Sequence, residues 1–177
     1  MNLNRLFTAC LLLLVTAGAA HAKEKEMDEL MTVEYVDIER YAGKWYEIAR
    51  KPNPFEKNCT GVTAEYSFRK DGKIKVENTC IKNSLDGKTK KSTGKAWVAD
   101  TETNSKLKVQ FFWPFSGDYW IMELGKDYEY AVVGDPGRKY YWILCREPVM
   151  DEGLYRDILE RSEKQGYDLS DIIKTVQ

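Results

Sequence analysis

The chain is predicted to be all-β: an eight-stranded antiparallel up-and-down β-barrel followed by one C-terminal α-helix. Three observations carry that prediction. Short runs of alternating apolar and polar residues return about every 8 to 14 residues between residues 45 and 145. Such alternation sends every second side chain to one face, as in a half-buried strand. Turn chemistry separates the runs, and after residue 150 the apolar period lengthens once, to a helical one.

Residues 45–50 make the first run. In residues 62–69, Val62, Ala64, Tyr66 and Phe68 alternate with Thr63, Glu65, Ser67 and Arg69. Lys70-Asp71-Gly72 follows as a hairpin turn, because glycine accepts the positive φ that tight turns demand. Ile74, Val76, Asn78 and Cys80 form the third run, and Leu85-Asp86-Gly87 turns the chain into the fourth, 92–99. Residues 106–113 set Leu107, Val109, Phe111 and Trp113 against Lys108, Gln110 and Phe112, and Pro114, Ser116 and Gly117 end the run. Runs over 119–124, 128–133 and 140–145 complete the eight. Leu154, Ile158 and Leu159 then fall at helical spacing between Asp151 and Gln165, with Gly166 as the stop. Leu169, Ile172 and Ile173 form a short apolar tail. Eight strands are enough to close a barrel, which removes exposed edges and leaves room for packed side chains or one small ligand.

Residues 1–22 read as a signal peptide: Arg5, the apolar run 11–15, and small residues at Ala20 and Ala22 before the cut. Residues 23–34 begin Lys-Glu-Lys-Glu and read as a mobile leader, so the folded domain is expected over 35–177. Phe7-Thr8-Ala9-Cys10 loosely resembles a lipoprotein acylation box, but there the apolar run follows the cysteine. Cleavage after Ala22 also removes His21, the only histidine. With no histidine and no Cys-x-x-Cys pair, neither a zinc site nor a Ser–His or Cys–His nucleophile is available. No metal, cofactor or catalytic residue is expected. The formal net charge of −1 and the interspersed lysines and glutamates argue against nucleic acid as a partner.

Cys59 and Cys80 flank one hairpin at nearly equal distance from its turn, so they are expected to form a disulfide, which export permits. Cys145 is then unpaired, pointing outward where the helix can cover it.

At Gly43-Lys44-Trp45-Tyr46, opening the first strand after a short turn at 37–41, the sequence resembles the lipocalin signature. Arg146, after Trp142-Ile143-Leu144-Cys145, fills the place of the family's capping arginine. A guanidinium stacked on an indole gives a cation–π contact, and its remaining donors can hold nearby backbone. Residues 130–136 (Tyr-Ala-Val-Val-Gly-Asp-Pro) resemble the bacterial branch and apolipoprotein D. The resemblance implies a barrel open at one end that stores or transports a fatty acid, lysophospholipid or similar amphiphile in the cell envelope. It implies the periplasm, with outer-membrane association or secretion as further options. Trp45 and Arg146 are structural in this reading.

Strand parity selects the lining. Counting back from Arg146 by twos points Leu144, Trp142 and Tyr140 inward. The same parity favours Tyr66, Phe68, Ile74, Val76, Asn78, Val109, Phe111 and Trp113. Of these, the residues near the open end are expected to touch ligand and those near Trp45 to pack. Asn78 stands out, since an amide in an apolar lumen needs a partner, either a neighbour, a water or a ligand head group. Glu47 alternates with Trp45 and so also faces inward. There it either holds its proton or finds an ion pair near the base or mouth. Alternation cannot bury all of Phe111-Phe112-Trp113-Pro114-Phe115. Phe112 or Phe115 therefore marks a contact surface, for a homodimer partner or a membrane, or a loop folded over the mouth. Two further functions stay open: a protein-interaction module acting through the mouth loops, and a lipocalin-type enzyme using Glu47 or Cys145.

Overall fold

A computed structural model describes residues 28–177; the signal peptide read over residues 1–22 lies outside the described residues. A four-residue helix, α1 (Ile38–Tyr41), precedes eight strands: β1 (Gly43–Arg50), β2 (Cys59–Phe68), β3 (Ile74–Lys82), β4 (Thr89–Val98), β5 (Lys106–Phe112), β6 (Phe115–Leu124), β7 (Tyr130–Gly134) and β8 (Tyr141–Cys145). Helix α2 (Glu152–Lys164) and a two-residue strand, β9 (Ile173–Lys174), complete the chain. Consecutive strands from β1 to β8 pair antiparallel, and β1 also pairs with β8, so the sheet closes.

The closure has a seam. β1 and β2 pair only where Gly43 to Tyr46 face Tyr66 to Thr63. Beyond that the strands part, and the C-terminal segment takes up the freed backbone groups. Ala49 pairs with Lys174 and Arg50 with Ile173, Thr175 N donates to Ile48 O, and Gly61 N donates to Val176 O. The tail expected only to be apolar is thus a strand that completes the wall.

Two cores lie on opposite faces of the sheet. Inside, Trp45, Tyr66, Val76, Ala96, Leu107, Ile121 and Leu144 pack together. Outside, α2 places Tyr155, Ile158 and Ser162 on one buried face, the i, i+3, i+7 stripe of an amphipathic helix. That face covers Met122, Val132, Ile143 and Cys145, so Cys145 is buried beneath the helix. Because β7 lies between both cores, Ala131, Val132 and Val133 are all fully buried. The α2 N-terminus is capped by Asp151, whose carboxylate accepts from Leu154 N.

Residues 28–34 differ from the mobile leader expected. Leu30 is buried in the outer core, Val33 N donates to Ile121 O, and Ser105 Oγ donates to Thr32 Oγ1. The charged composition before it hides one apolar side chain, which the outer core buries.

Candidate functional site at the barrel mouth

The up-and-down order puts Trp45, Arg146 and the turns at 69–73, 99–105 and 125–129 at one end. The other end carries the connections 51–58, 83–88, 113–114 and 135–140. The first end is shut. Trp45 is fully buried and donates through Nε1 to Tyr41 O at 2.9 Å. The Arg146 guanidinium lies 3.7 Å from the Trp45 ring centre. It donates to the carbonyls of Arg40, Tyr41 and Ala42 at 2.8, 3.2 and 3.0 Å, and to Lys44 O at 2.8 Å. Carbonyls at a helix C-terminus have no partner within the helix, and here one planar fork of donors serves them. Gly43 sits at φ +93°, and a Cβ there would come within 3.4 Å of Arg146 Nη1, so the turn keeps glycine.

Above the plug, the hydroxyls of Tyr41 and Tyr66 both meet that of Tyr119, at 2.7 and 2.8 Å. Burial pushes the Tyr66 phenol up to about 12, so the three stay neutral. The space left among Tyr41, Tyr66, Ile74, Ala96, Leu107 and Tyr119 is about 10 Å³, enough for one water at most. This half of the barrel is packed.

The opposite half is polar where the sequence alone shows one charge. β1 carries a bulge between Glu47 and Ala49: Glu47 faces Leu144, Ala49 faces Ile143 and Arg50 faces Trp142. A bulge adds one residue and re-aims those after it. Strict alternation would put Glu47 and Arg50, three apart, on opposite faces; the bulge puts both inside. Arg50 Nη1 donates to Glu47 Oε1 at 2.6 Å and to Thr175 Oγ1 at 2.9 Å. Arg50 Nη2 donates to Glu56 O at 3.0 Å, and Nε lies 3.7 Å from Glu56 Oε2. Thr175 Oγ1 donates in turn to Glu47. Burial, and then the neighbouring Glu56 carboxylate, push Glu47 up to about 8, although Arg50 opposes them. The ion pair anticipated for Glu47 therefore exists, at the mouth end, with two carboxylates sharing one guanidinium.

Glu56 leads to the rim. Its carboxylate accepts from Asn53 Nδ2 at 2.6 Å and from Trp142 Nε1 at 3.0 Å. The Trp142 ring stacks on Tyr140 with centres 6.0 Å apart, and Tyr140 meets Phe55 at 5.5 Å. Asn78 lies on the inner face, opposite Ala64 and two residues above Val76. Its Oδ1 is the one buried side-chain polar atom without a partner among the described residues.

The residues expected to line the lumen fall into three groups. Tyr66, Ile74 and Val76 belong to the packed half, with Val109 and Phe111 partly buried against them. Asn78, Tyr140 and Trp142 belong to the mouth half. Phe68 and Trp113 depart from their inward assignment, being 57% and 85% exposed. Phe68 is the last residue of β2, at the shut end, where the strand runs out past the core. Trp113 follows a bulge between Val109 and Phe112 that spoils the parity count, and it sits in the two-residue tip between β5 and β6. Phe112 and Phe115 are both exposed beside it. The expected disulfide is present: Cys59 and Cys80 are joined, with Cα atoms 5.4 Å apart.

Arg50, Glu56 and Thr175 escaped the sequence reading. Glu-Ile-Ala-Arg carries no mark of a bulge, and the tail that brings Thr175 here pairs across more than a hundred residues.

The profile of the family described as "Lipocalin-like domain" matches residues 36–177. This chain is a lipocalin. It is 38% identical to temperature-induced lipocalin-1 of Arabidopsis thaliana, covering 86% of this chain and 85% of that protein. It is 39% identical to the outer membrane lipoprotein Blc of Vibrio cholerae, over 80% and 82% of the two chains. With apolipoprotein D of Macaca fascicularis the identity is 38%, over 77% and 78%. Among solved structures, insecticyanin from the tobacco hornworm Manduca sexta superposes with a TM-score of 0.68 at 20% identity, over 84% of this lipocalin and 85% of that chain. That likeness shows the fold.

Proposed function

We propose that this lipocalin is an exported carrier that holds one lipid-like amphiphile, a fatty acid or lysophospholipid, in the mouth half of its barrel. The observation that carries the reading is the unpartnered, buried Oδ1 of Asn78 on the inner wall. A buried acceptor left alone is costly, and a bound head group relieves that cost. Tyr140 and Trp142 offer apolar rings around the entrance, while the shut half limits how deep an acyl chain can go. Relatives named outer membrane lipoprotein and apolipoprotein support an envelope or extracellular setting. No reaction is assigned, since the buried carboxylate of Glu47 is tied to Arg50 and Thr175.

Lipid extraction of the purified exported protein followed by mass spectrometry tests this. A stoichiometric amphiphile is expected; an empty protein that also takes up no added amphiphile would refute it. Intact mass of the same preparation separates cleavage after Ala22 from acylation at Cys10.

A second reading rests on the tip between β5 and β6, where Phe112, Trp113 and Phe115 are 78%, 85% and 78% exposed. Adjacent exposed aromatics mark contact surfaces, and this tip stands at the mouth, where a membrane surface would hand over ligand. Flotation with phospholipid vesicles is expected to carry the protein upward, and less so after Trp113→Ser. Sedimentation velocity without vesicles tests the alternative of a homodimer through the same tip.

A further inference from the structure

Above the shut end, the wall between β1 and β2 is closed by segment 173–177, and each of the two strands has its own support without it. β1 is held along its other edge by β8, from Tyr46 facing Cys145 to Arg50 facing Trp142. β2 is held by β3 and by the Cys59–Cys80 disulfide. Both strands are irregular where they part, β1 between Glu47 and Ala49 and β2 between Thr60 and Thr63. The segment bridges them through Thr175 N to Ile48 O and Gly61 N to Val176 O. Gln177 Nε2 adds bonds to Glu47 O at 2.6 Å and Val62 O at 2.9 Å. Little else fastens it. Ile173 and Val176 are exposed, and Lys174 meets Glu152 in a solvent-exposed ion pair, which contributes little. Its outer side borders a groove of about 530 Å³ walled by Ile48, Pro148, Val149, Met150 and Tyr155, with room for the segment to swing outward. Inside, Thr175 bonds to Arg50 and Glu47. Its departure strands no buried charge, because Arg50 keeps Glu47 at 2.6 Å and Glu56 O at 3.0 Å.

We propose that segment 173–177 is a detachable strap whose release opens a side portal between β1 and β2, through which the apolar chain of the carried amphiphile enters and leaves. The inference rests on the carrier reading above and adds a route to the same site. Short ladders with exposed side chains open locally at far less cost than global unfolding. The gap so opened runs from Glu47 to Arg50 on one side and from Cys59 to Val62 on the other, beside the mouth half of the lumen. The groove outside it is walled mainly by apolar side chains, which suit an acyl chain in transit.

Two measurements test this. Hydrogen exchange on the full chain reads the strap itself: the amides of Gly61 and Thr175 are expected to exchange about a hundredfold faster than the protected amides of β7 and β8. Equal protection overturns the strap. Stopped-flow fluorescence with dansyl-undecanoic acid reads the portal. Deleting Val176 and Gln177 removes the bonds to Gly61, Glu47 and Val62 and leaves Thr175 in place. It is expected to raise the association and dissociation rates together, about tenfold, as the loss of two or three hydrogen bonds would give. Kd is expected to stay within about twofold, because a lowered barrier changes neither end state. Gln177→Ala is the milder variant should the deletion fail to fold, and is expected to move both rates the same way by several-fold. Rates unmoved in the folded variants, or a faster release with unchanged entry, overturn the portal and spare the carrier reading. Failure of the parent protein to take up the probe overturns the carrier reading and the portal with it.

Discussion

The guanidinium of Arg146 stacks on the indole of Trp45 at 3.7 Å while capping the carbonyls that end α1. One side chain thereby joins the last strand, the first strand and the N-terminal helix at the shut end. Arg146→Ala removes the stack and strands several carbonyls, and is expected to cost about 2–4 kcal/mol. Arg146→Lys is expected to recover little of this, because an ammonium is a compact charge and cannot serve four carbonyls in one plane. Urea unfolding of the three proteins checks both.

Glu47 gives the fold a pH dependence. Its folded pKa, about 8, lies above the ordinary carboxyl value of 4.5, so between those values the folded state binds more protons than the unfolded one. Stability from this group is complete below about 4.5 and is lost as pH rises toward 8. The denaturation midpoint is expected to fall across that window, and Glu47→Gln is expected to flatten the slope. A variant as pH-dependent as the parent would show that other groups set it.

Removing Arg50 is a different insult. Arg50→Met leaves buried Glu47 and Thr175 Oγ1 without their donor and Glu56 without its cation, and is expected to destabilise by about 3–5 kcal/mol, most strongly above pH 8, where Glu47 would ionise. The double variant Arg50→Met/Glu47→Gln is expected to regain much of that above pH 8, where Glu47 would be an uncompensated charge, and little near pH ~6, where Glu47 already holds its proton. Thermal unfolding of the single and double variants decides it.

The disulfide closes a loop with a sequence separation of 21. Constraining the unfolded chain over that length is worth about 3 kcal/mol. The pair Cys59→Ser/Cys80→Ser is expected to lose about that much while leaving the shut end intact, because Cys59, Val62 and Cys80 form their own small cluster. Near-ultraviolet circular dichroism of the folded variant checks that the tryptophan environment at the plug survives.

How much was legible follows from the range over which each signal acts. Strand alternation and turn glycines are local, so all eight strands and α2 were readable, and Trp45 and Arg146 could be placed from their resemblance to the lipocalin signature. Disulfide pairing was readable because both cysteines flank a single hairpin. Bulges were not: at Ile48 and before Phe112 one extra residue reverses parity with no mark in composition. Those two slips hid Arg50 as a lumen residue and misplaced Trp113. The third gap was long-range, since only the folded chain shows that Thr175 completes the Glu47–Arg50 pair or that Leu30 anchors the segment before Val36.

That the mouth half holds the ligand can be measured through Trp142, which hydrogen-bonds to Glu56 and faces Arg50 across the β1–β8 pairing. An amphiphile brominated along its chain quenches a tryptophan that it touches. Titration is expected to quench the fluorescence saturably at one ligand per protein, and Trp142→Phe is expected to remove most of that quenching while Trp113→Phe leaves it. Quenching that never saturates, or that survives intact in Trp142→Phe, would contradict a ligand held in the mouth of this barrel.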